Sequence, residues 1–236
     1  MISVCMATYN GAAFIEEQLR SILASPRVGE VVVSDDGSSD ATLARIAALG
    51  DARVRVLAGP RAGVVRNFEH ALKQARGDIV FLCDQDDVWL PRKVDIVVQA
   101  LAGADLVVTD CRVVDTELRV IKPSFFRLRG SGPGFARNLL QNSYLGCCMA
   151  MRRSVLERAL PFPANLPMHD WWIGLVAERS ARVSFIDTPL VLYRRHGVNA
   201  SSASQPSNAS RLTQLLWRLS LVRALAARGL WPASQH

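Results

Sequence analysis

The chain has 236 residues, half of them hydrophobic and 21% charged, which excludes a disordered chain and allows a full core without staples. With 15 glycines and 11 prolines it is neither collagen-like nor low-complexity. The net charge of +7 suits an anionic partner such as a phosphorylated substrate or a membrane surface, but no dense Lys/Arg block points to nucleic acid.

Apolar runs and helical patterns alternate through the first 110 residues. Ile2 to Ala7 reads as a buried strand, and Ile15, Leu19, Ile22 and Leu23 then repeat on one helical face. Glu30 to Ser34 is a second strand, followed by a helix over Ala41–Leu49 with Ser and Asp residues before it as caps. Arg53 to Leu57 alternates as a third strand. Phe68, Ala71, Leu72 and Ala75 form the next helix face, and Asp78 to Cys83 is a fourth strand. Pro91 opens a helix to about Ala102, and Leu106 to Thr109 is a fifth strand. Continuous apolar strands alternating with helices predict an α/β fold, Rossmann-like, with a mostly parallel sheet covered by helices on both faces.

The second half is less regular. Gly130 to Gly134 is a break, Tyr144 to Met151 a strand-like run, and Asp170 to Glu178 a helix. Val183–Ile186 and Leu190–Tyr193 read as two strands, and Ser201–Ser210 as a linker. The segment Arg211 to Trp231 is helical in pattern, with Leu212, Leu215, Leu216, Leu219, Val222, Ala226 and Leu230 on one wide stripe and Trp217 and Leu221 opposite. The expected organisation is a domain over residues 1–200 and a linker with an amphipathic helix over 201–236. Packing on the domain is the first expectation for that helix; pairing in a homodimer and peripheral contact with a membrane are the others.

Five cysteines, an odd number without a C-x-x-C pair, sit mostly in apolar runs and read as buried reduced thiols of a cytosolic protein. The N-terminus lacks a signal-peptide pattern, and no run approaches the ~18 apolar residues of a membrane span. The expected location is the cytoplasm, free or at the inner face of a membrane.

In a parallel α/β sheet ligands bind beyond the carboxyl ends of the strands. The segments there are Ala7-Thr8-Tyr9-Asn10-Gly11, Asp35-Asp36-Gly37-Ser38-Ser39-Asp40 and Asp84-Gln85-Asp86-Asp87-Val88-Trp89. The first two would also serve as turns and helix caps. The third brings three carboxylates within four residues, a repulsion that a divalent cation, Mg²⁺ or Mn²⁺, relieves while bridging to phosphates. Without a Walker lysine loop or G-x-G-x-x-G, neither a P-loop nor a dinucleotide site is supported. The residues alone imply a metal–diphosphate site.

Together these segments resemble family 2 glycosyltransferases of the GT-A fold, with Asp84-Gln85-Asp86 in the place of the D-x-D motif. Asn142 to Cys148, Met168-His169-Asp170-Trp171-Trp172 and Tyr193 to Asn199 resemble the bacterial rhamnosyltransferase branch, and the likeness covers roughly residues 1–200. It implies an inverting, metal-dependent transfer from dTDP-rhamnose or a UDP-sugar to a glycan or lipid-linked acceptor. Ala7, Thr8 and Tyr9 would line the nucleotide pocket, and Asp35 or Asp36 would bond the base or ribose, with Gly37 and Ser38 admitting the backbone. Asp84 would sit near ribose or metal, beside Gln85, and Asp86 would hold the metal, joined by His196. Arg61 or Arg66 could reach the diphosphate, near Asn67, which could instead cap its helix. Asp170 would be the catalytic base, against the alternative of a helix cap. His169, Trp171 and Trp172 are candidates for the acceptor side, with one tryptophan as platform and the other as core. Two rivals are a binding-only relative and a sugar nucleotidyltransferase; the latter wants a basic glycine-rich loop after the first strand, which is absent.

Overall fold

The computed structural model describes residues 1–196 and 210–231. The expected boundary at residue 200, the linker over 201–209, and Gly197-Val198-Asn199 lie outside the described residues. The elements run β1 (Ile2–Thr8), α1 (Ile15–Leu23), β2 (Glu30–Asp35), α2 (Thr42–Leu49), β3 (Val54–Ala58), α3 (Val64–Gln74), β4 (Ile79–Cys83), β5 (Val88–Trp89) and α4 (Lys93–Ala100). They continue with β6 (Leu106–Val114), β7 (Val120–Lys122), α5 (Phe125–Arg129), α6 (Phe135–Leu140), β8 (Met149–Arg152), α7 (Arg153–Ala159), α8 (His169–Ser180), β9 (Val183–Arg194) and α9 (Arg211–Ala227).

One sheet carries the strands in the order β3-β2-β1-β4-β8-β6-β9-β5, with β7 paired to β6. The first four positions are parallel, as the βα repeat requires. Beyond β4 the sheet is mixed rather than mostly parallel, because β8 enters antiparallel between β4 and β6. The α/β class stands. The two strands expected over 183–193 are one long strand whose register against β6 shifts near Asp110. The run from Tyr144 yields only a 3₁₀ turn at Gly146–Cys148 and then β8.

Burial follows the pattern of the sequence. Val4, Met6, Val31, Val33, Val80 and Leu82 are fully buried in strands covered on both faces. Helix α1 turns Ile15, Leu19 and Ile22 inward, each worth about 1.5–3 kcal/mol of burial. Helix α8 differs, since all of His169 to Ala177 is buried. A helix apolar on every side belongs in a core. The five cysteines are buried free thiols.

Candidate active site

Parallel register brings the ends of β1, β2 and β4 side by side, with Thr8 opposite Asp35 and Met6 opposite Cys83. The loops leaving these strands wall a cleft of about 720 Å³. Ala7, Thr8, Tyr9, Asp36, Asn67, Asp84, Gln85 and Asp86 all line it, and the start of α8 supplies His169 and Asp170 from another wall. His196 closes the acidic side.

The first wall is held by side chains bonding to backbone. The Gln85 amide pairs with Tyr9 as a strand would: Tyr9 N–H donates to Oε1 (3.0 Å) and Nε2 donates to the Tyr9 carbonyl (3.1 Å). Asp36 accepts the N–H groups of Arg61 (2.6 Å) and Gly63 (2.9 Å), fixing the loop that opens α3. Asp35 is instead buried below the cleft, where it accepts the N–H groups of Gly37 (3.2 Å) and Ser38 (2.9 Å). Of the two carboxylates expected at the nucleotide, only Asp36 faces the cavity. Gly37 stands at φ +95°, a left-handed turn that a side chain would strain. Neither Gly37 nor Ser38 lines the cavity; the Ser38 hydroxyl accepts the N–H of Asn10 (2.8 Å).

The acidic wall depends on β5. Its antiparallel pairing, Val88 with Leu192, carries the preceding carboxylates alongside the end of β9. The Arg194 N–H donates to Asp87 (2.9 Å), its Nε donates to the Asp86 carbonyl (2.8 Å), and its guanidinium lies over Phe14 and pairs with Glu17. His196 places Nε2 2.7 Å from Asp86 Oδ2 and stacks on Phe14. Burial and the nearby Asp86 charge push Asp84 up to about 8. The same two causes, with Asp84 added, push the fully buried Asp87 well up, and its Oδ2 has no hydrogen-bond partner. Asp84, Asp87 and the Cys147 sulfur could converge within 4.8 Å of one another. Lys93 is the buried counter-charge: Nζ donates to the Cys147 carbonyl (2.7 Å) and stands 4.2 Å over the Trp89 ring.

On the α8 wall, Met168 occupies the cap position and Asp170 the first turn. The Asp170 carboxylate accepts the N–H groups of Trp171 (2.6 Å) and Gly146 (3.2 Å). Burial raises it to about 6, against the pull of those donors. His169 is buried on Phe68, ring centroids 4.0 Å apart, and neither ring nitrogen has a partner. Burial lowers it to about 3, so it is neutral. A side-chain carbon on Gly146 would stand 3.1 Å from His169 Nε2, so the imidazole would have to give by a few tenths of an ångström to admit one.

Three expected residues lie elsewhere. Arg66 faces away from the cleft, bonding Glu69 and the carbonyls of Phe162, Pro163 and Ala164; the arginine on the wall is Arg61. Trp171 and Trp172 are both core, their indole N–H groups donating to the carbonyls of Asn138 (2.7 Å) and Ala159 (2.9 Å), because every residue of α8 from His169 to Ala177 is buried. Asn67 does not cap α3; its amide donates to the carbonyls of Ser34 (2.8 Å) and Thr8 (3.2 Å), tying α3 to the strand ends. Sequence reasoning missed Phe14 and Arg194. Phe14 carries no motif, and Arg194 was visible only as part of the Tyr193–Asn199 segment.

The model for "Glycosyl transferase family 2" matches residues 3–160. Among curated relatives, an uncharacterized glycosyltransferase from Nostoc is 26% identical over 229 residues, spanning 90% of this chain and 71% of that protein. A UDP-Glc:α-D-GlcNAc-diphosphoundecaprenol β-1,3-glucosyltransferase of Escherichia coli is 23% identical, with 92% and 84% covered. A dTDP-rhamnosyl transferase of Shigella flexneri is 26% identical, with 84% and 74% covered. Staphylococcus aureus TarS 1–349 in complex with UDP-GlcNAc superposes with a TM-score of 0.73 at 22% identity, over 100% of this chain and 68% of that one. A Pyrobaculum calidifontis mannosyltransferase in complex with GDP-Man and Mn²⁺ gives 0.63 at 22% identity, over 98% and 76%. The solved structures establish the shared fold. The family match takes in all three strand-end loops that build the first and acidic walls, and the chain belongs to glycosyl transferase family 2.

Proposed function

We propose that this protein moves a sugar from a dTDP- or UDP-sugar to an acceptor hydroxyl with inversion at the anomeric carbon. The observation that carries the reading is one cleft with Asp84 and Asp86 on one wall and Asp170, raised to about 6, on another. The Shigella and E. coli relatives, named for dTDP-rhamnosyl and UDP-glucosyl transfer, support a pyrimidine donor. The diphosphoundecaprenol in the second name supports a lipid-linked glycan acceptor.

The donor set fits a hard divalent cation, Mg²⁺ or Mn²⁺. Asp84 and Asp86 offer oxygen ligands in the cleft, the Asp86 charge helps push Asp84 up even with Lys93 opposing it, and His196 stands against Asp86. When bound, such an ion stabilises the charge that grows on the leaving diphosphate. The remaining work falls to the chain. Tyr9, held by Gln85, and Asp36, held by its turn, present a preformed wall to the nucleotide, and Arg61 faces the diphosphate. The acceptor oxygen attacks the anomeric carbon, the bond from that carbon to the diphosphate oxygen breaks, and the hydroxyl proton passes to Asp170. A carboxylate at about 6 is mostly ionised at neutral pH yet basic enough to take that proton as the bond forms. His169, neutral and with both ring nitrogens buried and unpartnered, lines the cleft beside it.

Thermal melting against nucleoside diphosphates and nucleotide sugars, with and without Mn²⁺, tests the donor site, since a ligand of the native state raises Tm by mass action. Asp170→Asn should keep the donor-induced shift and lose turnover. Normal turnover by that variant would remove the base assignment, and a product retaining the donor's anomeric configuration would remove the single displacement.

A further inference from the structure

The sequence pattern leads to the expectation that the leucine stripe of α9 packs on the domain. The helix does the reverse. It docks through Leu221 and Leu225, both fully buried, with Trp217 and Ala224 against the core. Beyond its end, Arg228 lies over the Trp172 ring and donates to the carbonyl of Leu160 (3.1 Å). The stripe faces outward: Leu212 is 66% exposed, Leu215 51%, Leu216 56% and Leu219 43%. At 3.6 residues per turn these four span an arc of about 100°. Leu140, 65% exposed at the end of α6, extends the patch, because Arg218 reaches from α9 to its carbonyl (2.6 Å). A groove of about 320 Å³ runs beside Leu216 and Leu219, walled by Pro163 to Asn165.

Charge selects the occupant. Helix α9 carries Arg211, Arg218 and Arg223 and no carboxylate, in a chain whose net charge is +7. A second copy meeting this face through a two-fold axis would set arginine against arginine with nothing on the helix to pair them. No helix among the described residues is long and apolar enough to cross a membrane. An exposed leucine stripe flanked by Arg211 and Arg218, with Arg223 on the same face one turn beyond Leu219, matches a helix lying in the surface of an anionic bilayer, with its leucines in the acyl boundary and its arginines reaching the headgroups.

We propose that α9 is an interfacial anchor that seats the domain on anionic lipid. This goes beyond the transfer reading and does not depend on it, because seating needs neither donor nor metal. The test is flotation of the full chain with vesicles of phosphatidylcholine alone and of phosphatidylcholine with phosphatidylglycerol, at low and high salt. The expected result is binding to the anionic vesicles, weakened about tenfold or more by salt or by omission of the anionic lipid. Leu212→Gln with Leu215→Gln, Leu216→Gln and Leu219→Gln should abolish flotation with little change in Tm, since these side chains are 43–66% exposed and Leu221 and Leu225 carry the docking. Arg211→Gln with Arg223→Gln should weaken binding to the anionic vesicles selectively. Wild-type protein that stays in solution with both vesicles, or a leucine variant that floats like the wild type, would overturn the proposal. So would light scattering that finds a wild-type dimer and a monomeric leucine variant. Donor-induced thermal shifts on the same samples report the transfer reading separately.

Discussion

Asp86 and His196, 110 residues apart in the chain, meet at 2.7 Å between Oδ2 and Nε2. The antiparallel pairing of β5 with β9 brings them together, and the stacking of His196 on Phe14 sets the ring. In the metal site we propose, a histidine fixed in this way would ligate the ion or orient Asp86 toward it.

His196→Ala should therefore raise the Mn²⁺ concentration needed for donor binding by roughly 10- to 100-fold. Metal titration of the donor-induced thermal shift measures it. An unchanged titration would reduce His196 to a packing partner of Phe14.

The pH dependence of Asp170 has a definite sign. Its folded-state pKa is about 6, above the ordinary carboxylate value of 3.8, so the native state holds the proton longer than the unfolded chain. Stability from this group therefore falls as pH rises from about 4 to 6, by at most about 3 kcal/mol. Asp170→Asn should melt higher than wild type at pH 7.5 and match it at pH 4. Turnover of the variant should drop by about 10²- to 10⁴-fold, and wild-type turnover should rise through an apparent pKa near 6. Parallel melting curves and rate profiles across pH would check both.

His169 carries the opposite slope. Its folded-state pKa of about 3 lies below the ordinary 6.5, so stability from this group is lost as pH falls below about 6.5. His169→Phe fills similar space, removes two unsatisfied nitrogens, and should melt no lower than wild type near pH 5. A variant less stable than wild type at pH 5 would contradict this.

Lys93 is the buried cation that opposes the upward shift of Asp84, whose charge in turn acts on Asp87. Lys93→Met leaves that acidic wall without its counter-charge and should cost about 3–5 kcal/mol by denaturant titration. Adding Asp87→Asn should recover part of the loss. If the double variant is no more stable than Lys93→Met alone, the coupling is absent.

Much of the site could be read from the strand ends, because a βα repeat places consecutive loops on one edge whatever the details of packing. Thr8, Asp36 and Asp84 follow from that rule. Arg66 does not. Its helix position suits the cleft, but the loop that captures it, Phe162 to Ala164, lies about a hundred residues onward and nothing in the sequence ties the two. The tryptophans of α8 were ambiguous for a related reason, since a large aromatic suits a sugar face and a core equally until the burial of the whole helix is known. The α9 stripe shows the limit of periodicity. The pattern identifies a face, but Leu221 and Leu225 on the other side are enough to dock the helix.

The placement of β5 against β9 also sets an order of assembly. During synthesis the loops at the ends of β1, β2 and β4 leave the ribosome first, and their parallel neighbours are already at hand. The acidic segment must wait for Val191 and Leu192 before β5 has a partner, and for Arg194 before Asp87 has its donor. Until the chain has passed Arg194, the carboxylates of the acidic wall stand unframed, and a nascent chain stalled before that point would hold the Tyr9–Asp36 wall without a closed acidic one.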